Sequence, residues 1–186
     1  YSAMSAIDIA LWDIKGKAYG RPVHEIMGGA RRKDVRAYAS QLQFGWSHSD
    51  LHVPQLKAED YGNVAKKAVE EEGYDALKYD FFTFDEDGSR ITVEEFTRLL
   101  LPKYQKMIER RVEAVRKAVG DEVDIIAECH SRLDAQSAVQ VAKIMEKYGI
   151  LFFEEPTIPA PAQMKYVSER TNVPLAAGER IYTRWQ

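Results

Sequence analysis

The amino-acid sequence predicts an α/β fold in which parallel strands and helices alternate along one barrel or sheet. Two observations carry this prediction. Short apolar and β-branched runs are separated by longer stretches with the period of an amphipathic helix, and five such strand candidates occur in 186 residues. The composition, 45% hydrophobic and 30% charged, is that of an ordinary globular domain rather than a disordered or collagen-like chain.

The charge pattern and the apolar runs exclude several classes of protein. The 26 basic and 29 acidic residues are mixed along the chain, with no basic stripe to neutralise phosphates, so nucleic acid is not an expected partner. No apolar stretch approaches the roughly 20 residues of a membrane span. The opening segment carries Asp8 and Asp13 where a signal peptide would be purely apolar, and the single cysteine, Cys129, cannot form an internal disulfide. We expect a cytoplasmic protein.

The first predicted element is a helix that ends at Gly20, which Pro22 follows. Its apolar residues recur at helical spacing and are Met4, Ile7, Leu11, Ile14 and Ala18. Because the helix starts without an initiator methionine and the chain stops just after a predicted strand, we interpret the chain as an internal piece of a longer protein. We expect residues 1–29 to be the last helix and connector of one domain, and residues 30–186 to be a partial barrel.

Five strands and four further helices are expected to alternate in that barrel. The strand candidates cover 35–41, 75–82, 123–130, 150–156 and 173–180. The helical segments cover about 59–72, 93–119, 135–148 and 161–171. The longest irregular stretch, residues 44–60, follows the first strand, where a parallel α/β fold places its binding loops.

Two of these helices carry recognisable end signals. The second opens with the capping-box pattern of Thr92 and Glu95, and Pro102 is expected to kink it. The third has Asp134 at its N-cap and Gly149 as its stop. Their apolar faces should pack into the core; these residues are Tyr104, Met107, Ile108, Val112 and Val115 in one helix and Ala138, Val141, Ala142 and Met145 in the other.

Three consecutive strand candidates end in acid, which is the main functional signal. Glu128 lies 26 residues before Glu154, the first acid of the pair with Glu155, and Glu154 lies 25 residues before Glu179. The carboxyl ends of parallel strands meet at one end of the sheet, and converging carboxylates repel one another unless a cation neutralises them. An oxygen-only set suits a hard divalent ion, Mg²⁺ first. The alternative is that each acid caps a loop or pairs with a neighbouring Lys or Arg.

A histidine and a second charged pair lie near the same strand ends. His130 follows Glu128 by two residues, and side chains two apart on a strand face the same way, so the imidazole should lie beside the metal as a proton-transfer group. Lys78 and Asp80 share a face of the second strand and could both point into the barrel mouth. The alternatives are a structural histidine and an internal salt bridge between Lys78 and Asp80.

These motifs resemble those of the enolase superfamily, in particular its mandelate racemase and muconate lactonizing enzyme branch. The opening SAIDIALWDIKGKAYGRPVHEIMGG is similar to the helix and connector that lead from the capping domain of that family into its barrel. The strand ends AECH, FFEEP and AAGER resemble its three metal-ligand motifs, in the right order and spacing. The resemblance runs over nearly the whole chain and implies the first five β/α units of a modified TIM-type (β/α)7β barrel, preceded by a capping-domain helix.

The resemblance also implies roles for particular residues. Glu128, Glu154 and Glu179 would bind Mg²⁺, with the substrate carboxylate on the metal, so that loss of the α-proton gives an enediolate whose charge the ion stabilises. Family members with a Lys-x-Lys pair on the second strand use the second lysine as a base. Here that position is Asp80, after Lys78, which counts against the racemase and lactonizing chemistries that rely on it.

The position of His130 resembles instead the acid-sugar dehydratases of the D-galactonate type, in which a histidine there acts as general acid on a departing β-hydroxyl. The candidate catalytic residues are therefore His130, Lys78 and Asp80. The resemblance implies a carbon–oxygen lyase acting on an aldonic or aldaric acid. It places the α-proton base, a histidine on the seventh strand oriented by an aspartate on the sixth, outside this chain.

Other interpretations stay open at this point. The complete protein could be a racemase, epimerase or cycloisomerase of the same superfamily, or the chain could be a catalytically silent fragment. We expect the chain alone to turn over no sugar acid. We also expect the protein to be a homo-oligomer. An open barrel would expose the edge of its fifth strand, which must be covered by another chain, by the rest of the longer protein or by aggregation.

Overall fold

The computed structural model describes residues 1–45 and 53–182, and the chain divides into two units, Tyr1–Arg36 and Ala37–Gln186. The predicted domain boundary after residue 29 stays a prediction. Among the described residues, no helix combines the length and the apolar character needed to cross a bilayer.

The first unit consists of two helices, α1 (Ser2–Tyr19) and α2 (Val23–Ile26). The stop predicted at Gly20 is confirmed, because this residue has the left-handed φ of 60° that glycine adopts without strain, and its amide donates to the carbonyl of Lys17 at 3.2 Å. The apolar residues at the spacing noted in the sequence are exposed along α1; they are Met4, Ile7, Leu11 and Ile14.

A parallel sheet of four strands in chain order forms the centre of the second unit. The strands are β1 (Ala76–Tyr79), β2 (Asp124–Glu128), β3 (Phe152–Glu154) and β4 (Leu175–Ala176). The predicted α/β class with a parallel sheet is thereby confirmed. Every carboxyl end of a strand lies on the same side, which is the arrangement on which the functional prediction depends.

The prediction of a strand over residues 35–41 is wrong. It contributes only an isolated parallel bridge between Ala39 and Leu77, with two backbone hydrogen bonds of 3.0 and 2.7 Å to β1. Pairing ends there because Gln41 takes a left-handed conformation with φ of 60°, and the chain turns into the short 3-10 helix Leu42–Phe44. The described residues hold four parallel strands and, in place of the first predicted strand, a single parallel bridge, so the number of barrel units stays a prediction.

Five helices of the second unit alternate with the strands. They are α3 (Ala58–Glu70), α4 (Val93–Phe96), α5 (Pro102–Val119), α6 (Ala135–Met145) and α7 (Pro161–Ser168). Three agree with the predicted segments to within a few residues, and the last turn predicted for α6 is the 3-10 helix Glu146–Tyr148. The predicted binding loop, residues 44–60, lies partly outside the described residues, since 46–52 are not among them.

The single long helix predicted over 93–119 is wrong. Pro102 begins α5 instead of kinking a continuous helix, because proline lacks the amide that an interior position would need and fits the first turn. Thr92 precedes α4 without a side-chain cap bond. The end signals of α6 are confirmed: Asp134 accepts the amide of Ser137 at 2.7 Å, and Gly149 has a left-handed φ of 61°.

The core lies between the sheet and the helices, and the buried guanidinium of Arg111 lies beside it. The apolar faces predicted for α5 and α6 are buried. Helices α3 and α5 approach closely at Gly62, where an added Cβ would lie 3.1 Å from the carbonyl oxygen of Ala114. Arg111 is fully buried and donates to the carbonyls of Phe81, Phe84 and Leu56 at 2.6 to 2.9 Å. This side chain thereby anchors the loop that follows β1.

Candidate metal centre and the adjoining histidine

Three acids converge at the carboxyl end of the sheet. In the register of β2 and β3, Glu128 is paired directly with Glu154, and Glu179 lies on the turn that follows β4. One carboxylate oxygen from each of the three lies within 4.8 Å of the other two. The side chains differ in exposure, at 4%, 18% and 40% respectively, so the group opens toward solvent at Glu179.

The backbone after β2 holds Glu128 in place. Oε1 of Glu128 accepts the amides of Cys129 at 2.9 Å and His130 at 2.8 Å, so the carboxylate caps the turn that ends its own strand. Burial raises the pKa of Glu128, with the charge of Glu154 acting in the same direction and the bond from the His130 amide opposing them. A nearby positive charge would relieve this cost of ionisation.

Lys78 supplies one such charge. Its Nζ lies 2.9 Å from Oε2 of Glu154 and 3.3 Å from Oε2 of Glu128. Burial alone would lower the pKa of Lys78, but the hydrogen bond to Glu154 and the charges of both glutamates outweigh burial and raise that pKa well above its usual range. The ammonium therefore stays charged and draws two of the acids together.

The donor set fits a hard divalent cation. The three carboxylates are paired with two cationic side chains, Lys78 at Glu128 and Glu154 and Arg180 at Glu179, so negative charge is in excess, and the cluster contains only oxygen donors. Such a set is typical of Mg²⁺ sites that keep positions for water or for substrate oxygens. The three acids could hold a metal ion.

A second charged cluster lies next to the acids. Nδ1 of His130 lies 2.8 Å from Oδ2 of Asp80, and Nη2 of Arg132 donates to both oxygens of Asp80 at 2.6 Å. Oδ1 of Asp80 also accepts the amide of Phe82 at 2.8 Å. Asp80 is 3% exposed, so this carboxylate is buried and its oxygens are occupied by these donors. The hydrogen bond to Asp80 raises the pKa of His130 against the opposing effect of burial.

The reason given from the sequence for the closeness of His130 and Glu128 is wrong. The predicted strand 123–130 ends at Glu128, and His130 and Ser131 have left-handed φ values of 53° and 58°, so the two-residue repeat of a strand does not apply to them. The imidazole nevertheless comes near the acids, with Nδ1 3.9 Å from Oε1 of Glu128. A tight turn held by the Glu128 carboxylate, rather than strand alternation, brings them together.

Two cavities that share lining residues lie at this end of the sheet. The smaller, of about 80 Å³, is lined by Lys78, Glu128 and Glu179. The larger, of about 240 Å³, is lined by Thr83, Arg90 and Arg132. Gln41, Gln43, Asp80 and His130 line both cavities. The histidine therefore lies between the acids and a larger polar space.

Glu155, the second acid of the pair, points away from the other acids. Its Oε2 accepts the hydroxyl of Ser131 at 2.9 Å, and its Oε1 accepts the amide of Gly178 at 2.6 Å. Glu154, and not Glu155, therefore lies together with Glu128 and Glu179.

Sequence reasoning missed several residues of the site. Arg132 was not singled out, although its place two residues after His130 was a usable signal. Gln43 is 1% exposed and accepts the amide of Asp80 at 3.3 Å, a long-range contact with no local signature. Arg180 donates to the carbonyl of His130 at 3.2 Å and lies 3.4 Å from Glu179, so it links two of the loops.

Parallel strands separated by helices, with functional side chains at their carboxyl ends, are the arrangement of α/β barrel proteins. The chain belongs to the family described as enolase C-terminal domain-like, whose model matches residues 60–186. The N-terminal domain model of mandelate racemase / muconate lactonizing enzyme matches residues 1–28. The resemblance stated from the sequence is thereby confirmed.

Known relatives cover nearly all of this chain. D-gluconate dehydratase of Thermoproteus tenax is 41% identical over 97% of this chain and 32% of its own length. D-gluconate/D-galactonate dehydratase of Picrophilus torridus is 33% identical over 98% of this chain and 42% of its own length. The crystal structure of a member of the enolase superfamily from Salmonella Typhimurium is similar with a TM-score of 0.89 and 47% identity, over 96% of this chain and 45% of that one. The chain thus spans less than half the length of these relatives.

Proposed function

We propose that the complete protein containing this chain is a Mg²⁺-dependent sugar-acid dehydratase, a carbon–oxygen lyase that removes water from an aldonic or aldaric acid. The observation that carries the proposal is the contact between two clusters at one end of the sheet, three converging carboxylates and a histidine bonded to Asp80. Relatives whose names specify D-gluconate and D-galactonate favour aldonic acids.

The three acids are the proposed metal ligands. Bound Mg²⁺ would supply positive charge that stabilises the charge developing on the substrate carboxylate as the α-proton leaves. Glu128 and Glu154 are held side by side by the strand register and by Lys78, while Glu179 closes the group from the next loop. Because Lys78 is held in its protonated form, its proposed role is to position these two acids.

His130 is the proposed general acid. Its Nδ1 is engaged by Asp80, which leaves Nε2 as the ring nitrogen that can deliver a proton. The β-carbon–oxygen bond breaks, the hydroxyl takes that proton and leaves as water, and the resulting enol becomes a 2-keto-3-deoxy acid. Asp80 acts as a positioning residue in this scheme, because its own oxygens are already occupied by Arg132 and the Phe82 amide.

The α-proton needs a base that the described cavities do not offer. Lys78 is protonated, and Asp80 is buried among donors. We therefore assign the base to the rest of the protein, as the family resemblance implies. The racemase and lactonizing chemistries that rely on a lysine at the position of Asp80 have no such lysine here, so dehydration is the better supported reaction.

The larger cavity is the proposed place for the distal carbons of the substrate. It is lined by His130 but not by Glu128, and its other lining residues include groups that hydrogen-bond hydroxyls, among them Thr83, Arg90 and Gln41. A chain of five or six carbons with its carboxylate at the acids would then place its β-hydroxyl near the imidazole.

The test is a dehydration assay on a panel of aldonic and aldaric acids, followed by formation of the 2-keto-3-deoxy product. It is run on this 186-residue chain and on the full-length protein, whose oligomeric state is measured by light scattering. We expect activity only in the full-length protein, as a homo-oligomer. Dehydration by the chain alone would show that the base lies within it, and a full-length protein inactive on every acid would contradict the dehydratase assignment.

A further inference from the structure

Glu155 joins three loops at the carboxyl end of the sheet. It is fully buried directly after β3, and its backbone amide donates a hydrogen bond to the carbonyl of Ala176 in β4 at 2.9 Å. One carboxylate oxygen accepts the Ser131 hydroxyl from the loop after β2, and the other accepts the Gly178 amide from the loop after β4. The carbonyl of Glu155 also accepts the Ser131 amide at 2.7 Å. One residue thus connects the loops that carry all three proposed metal ligands.

The backbone around these bonds is held in uncommon conformations. Glu155, His130 and Ser131 have φ values of 44°, 53° and 58°, in the left-handed region that residues other than glycine rarely adopt. Among the described residues, Gln41 is the other non-glycine residue with positive φ, and it lines both cavities at the same end of the sheet. Such conformations persist only where surrounding contacts hold them, and they cluster at functional sites. The Glu155 carboxylate supplies two of those contacts.

We propose that Glu155 is a positioning residue of the metal centre, which sets the distances among the loops of Glu128, Glu154 and Glu179. This inference rests on the proposed function for the identity of the ligands. The geometry supports it because Gly178, bonded by Glu155, immediately precedes Glu179, and Ser131 lies three residues after Glu128. Without the carboxylate, the turn that carries the most exposed ligand would lose its link to β3, and metal affinity would fall.

The chain offers a matched control at the opposite end of the sheet. Glu146 also accepts one hydroxyl and one amide, from Thr171 at 3.0 Å and Asn172 at 2.7 Å, in the loop that leads into β4. Its chemistry resembles that of Glu155, but it lies at the amino ends of the strands. Loss of Glu146 should therefore lower stability without affecting a metal site.

The experiment measures Mg²⁺ affinity by titration calorimetry in the full-length protein, together with the melting temperature. The variants are Glu155→Ala, Glu155→Gln and Glu146→Ala. We expect Glu155→Ala to weaken Mg²⁺ binding about 10- to 100-fold, the range typical of residues that orient metal ligands. Glu155→Gln should restore most of the affinity, because its amide oxygen can accept from Gly178 and its amide nitrogen can donate to Ser131. Glu146→Ala should lower the melting temperature and leave the Mg²⁺ affinity unchanged.

Several outcomes would overturn the proposal. A folded Glu155→Ala protein with wild-type Mg²⁺ affinity would do so, and so would an equal loss of affinity in Glu146→Ala. If Glu155→Ala does not fold, Ser131→Ala replaces it, since that change removes one hydroxyl bond; wild-type affinity there would refute the positioning role. A wild-type protein that binds Mg²⁺ but dehydrates no acid would contradict the proposed function and leave the affinity comparison intact.

Discussion

Two charged clusters lie side by side at the carboxyl end of the sheet, and they are built in opposite ways. In the acid cluster, three carboxylates face two cations, the ammonium of Lys78 and the guanidinium of Arg180. In the cluster around Asp80, one carboxylate faces a guanidinium and an imidazole. The first cluster has negative charge in excess and opens toward solvent, whereas the carboxylate of the second is buried and fully bonded.

This difference indicates which cluster binds a cation and which cluster holds neighbouring side chains in position. A group with excess negative charge gains most from an additional cation, because like charges held close together are costly in a buried site. A carboxylate whose oxygens are occupied has nothing left to offer a ligand, but it can fix the side chains that surround it. The following predictions test that contrast, in order of decreasing effect.

Removing a ligand from the acid cluster should have the largest effect. Glu154→Gln in the full-length protein keeps the shape of the side chain but removes one ligand charge. Turnover should fall by at least about 10³-fold, because electrophilic help from a metal is worth several kcal/mol and each 1.4 kcal/mol is about tenfold in rate. Steady-state dehydration rates at saturating Mg²⁺ provide the measurement. Exposed Glu169, which lies 3.7 Å from Lys165, is the control site, and Mg²⁺-dependent activity retained in Glu154→Gln would contradict the ligand assignment.

Changing the histidine should separate proton transfer from metal binding. His130→Asn in the full-length protein removes the group proposed to protonate the leaving hydroxyl, and general-acid help is typically worth about 10²- to 10⁴-fold in rate. We expect kcat to fall within that range while Mg²⁺ affinity stays within a few-fold of the wild type. Calorimetry and steady-state kinetics measure the two quantities separately. A loss of affinity as large as the loss of kcat would mean that His130 belongs to the acid cluster.

Neutralising Asp80 should have a smaller effect on the same step. Asp80→Asn keeps an oxygen for one donor but no longer fixes both Arg132 and the Nδ1 of His130. We expect kcat to fall about 10- to 100-fold, as for other residues that orient a reactive group, with KM little changed. A kcat loss equal to that of His130→Asn would indicate a direct role in proton transfer, and a change in KM alone would place Asp80 in substrate binding.

Much of the fold was predictable because it depends on local periodicity. The parallel sheet, the buried faces of α5 and α6 and the Asp134 cap follow from patterns within one segment. The true limits of the elements predicted at 35–41 and 93–119 could not be predicted. Gln41 adopts a left-handed conformation that glutamine does not specifically favour, and Pro102 is compatible with a helix start as well as with a kink. In both places the residue type allows more than one local structure.

The candidate site divides in the same way. The acids were predictable because strand ends of a parallel sheet meet at one place, so spacing alone brought Glu128, Glu154 and Glu179 together. The hydrogen bond between Asp80 and Arg132, which are 52 residues apart, was not predictable. It depends on the turn after β2, in which two residues adopt the left-handed backbone conformation. Sequence spacing can locate ligands on regular elements, but it cannot give the contacts of side chains on such a turn.

The smallest expected effect is on the chemical labelling of Cys129. This residue lies in the sequence between Glu128 of the acid cluster and His130 of the cluster around Asp80. Its thiol is fully buried, and burial raises the pKa of Cys129 to about 12. At pH 8 the thiol should be neutral and shielded, so a thiol reagent should leave it unmodified in the native full-length protein and label it after unfolding in urea. Peptide mapping by mass spectrometry identifies the labelled site. Addition of Mg²⁺ should leave the native labelling unchanged. Rapid labelling of the native protein would mean that the turn carrying His130 opens readily, which would contradict a histidine held in place by Asp80 and Glu155.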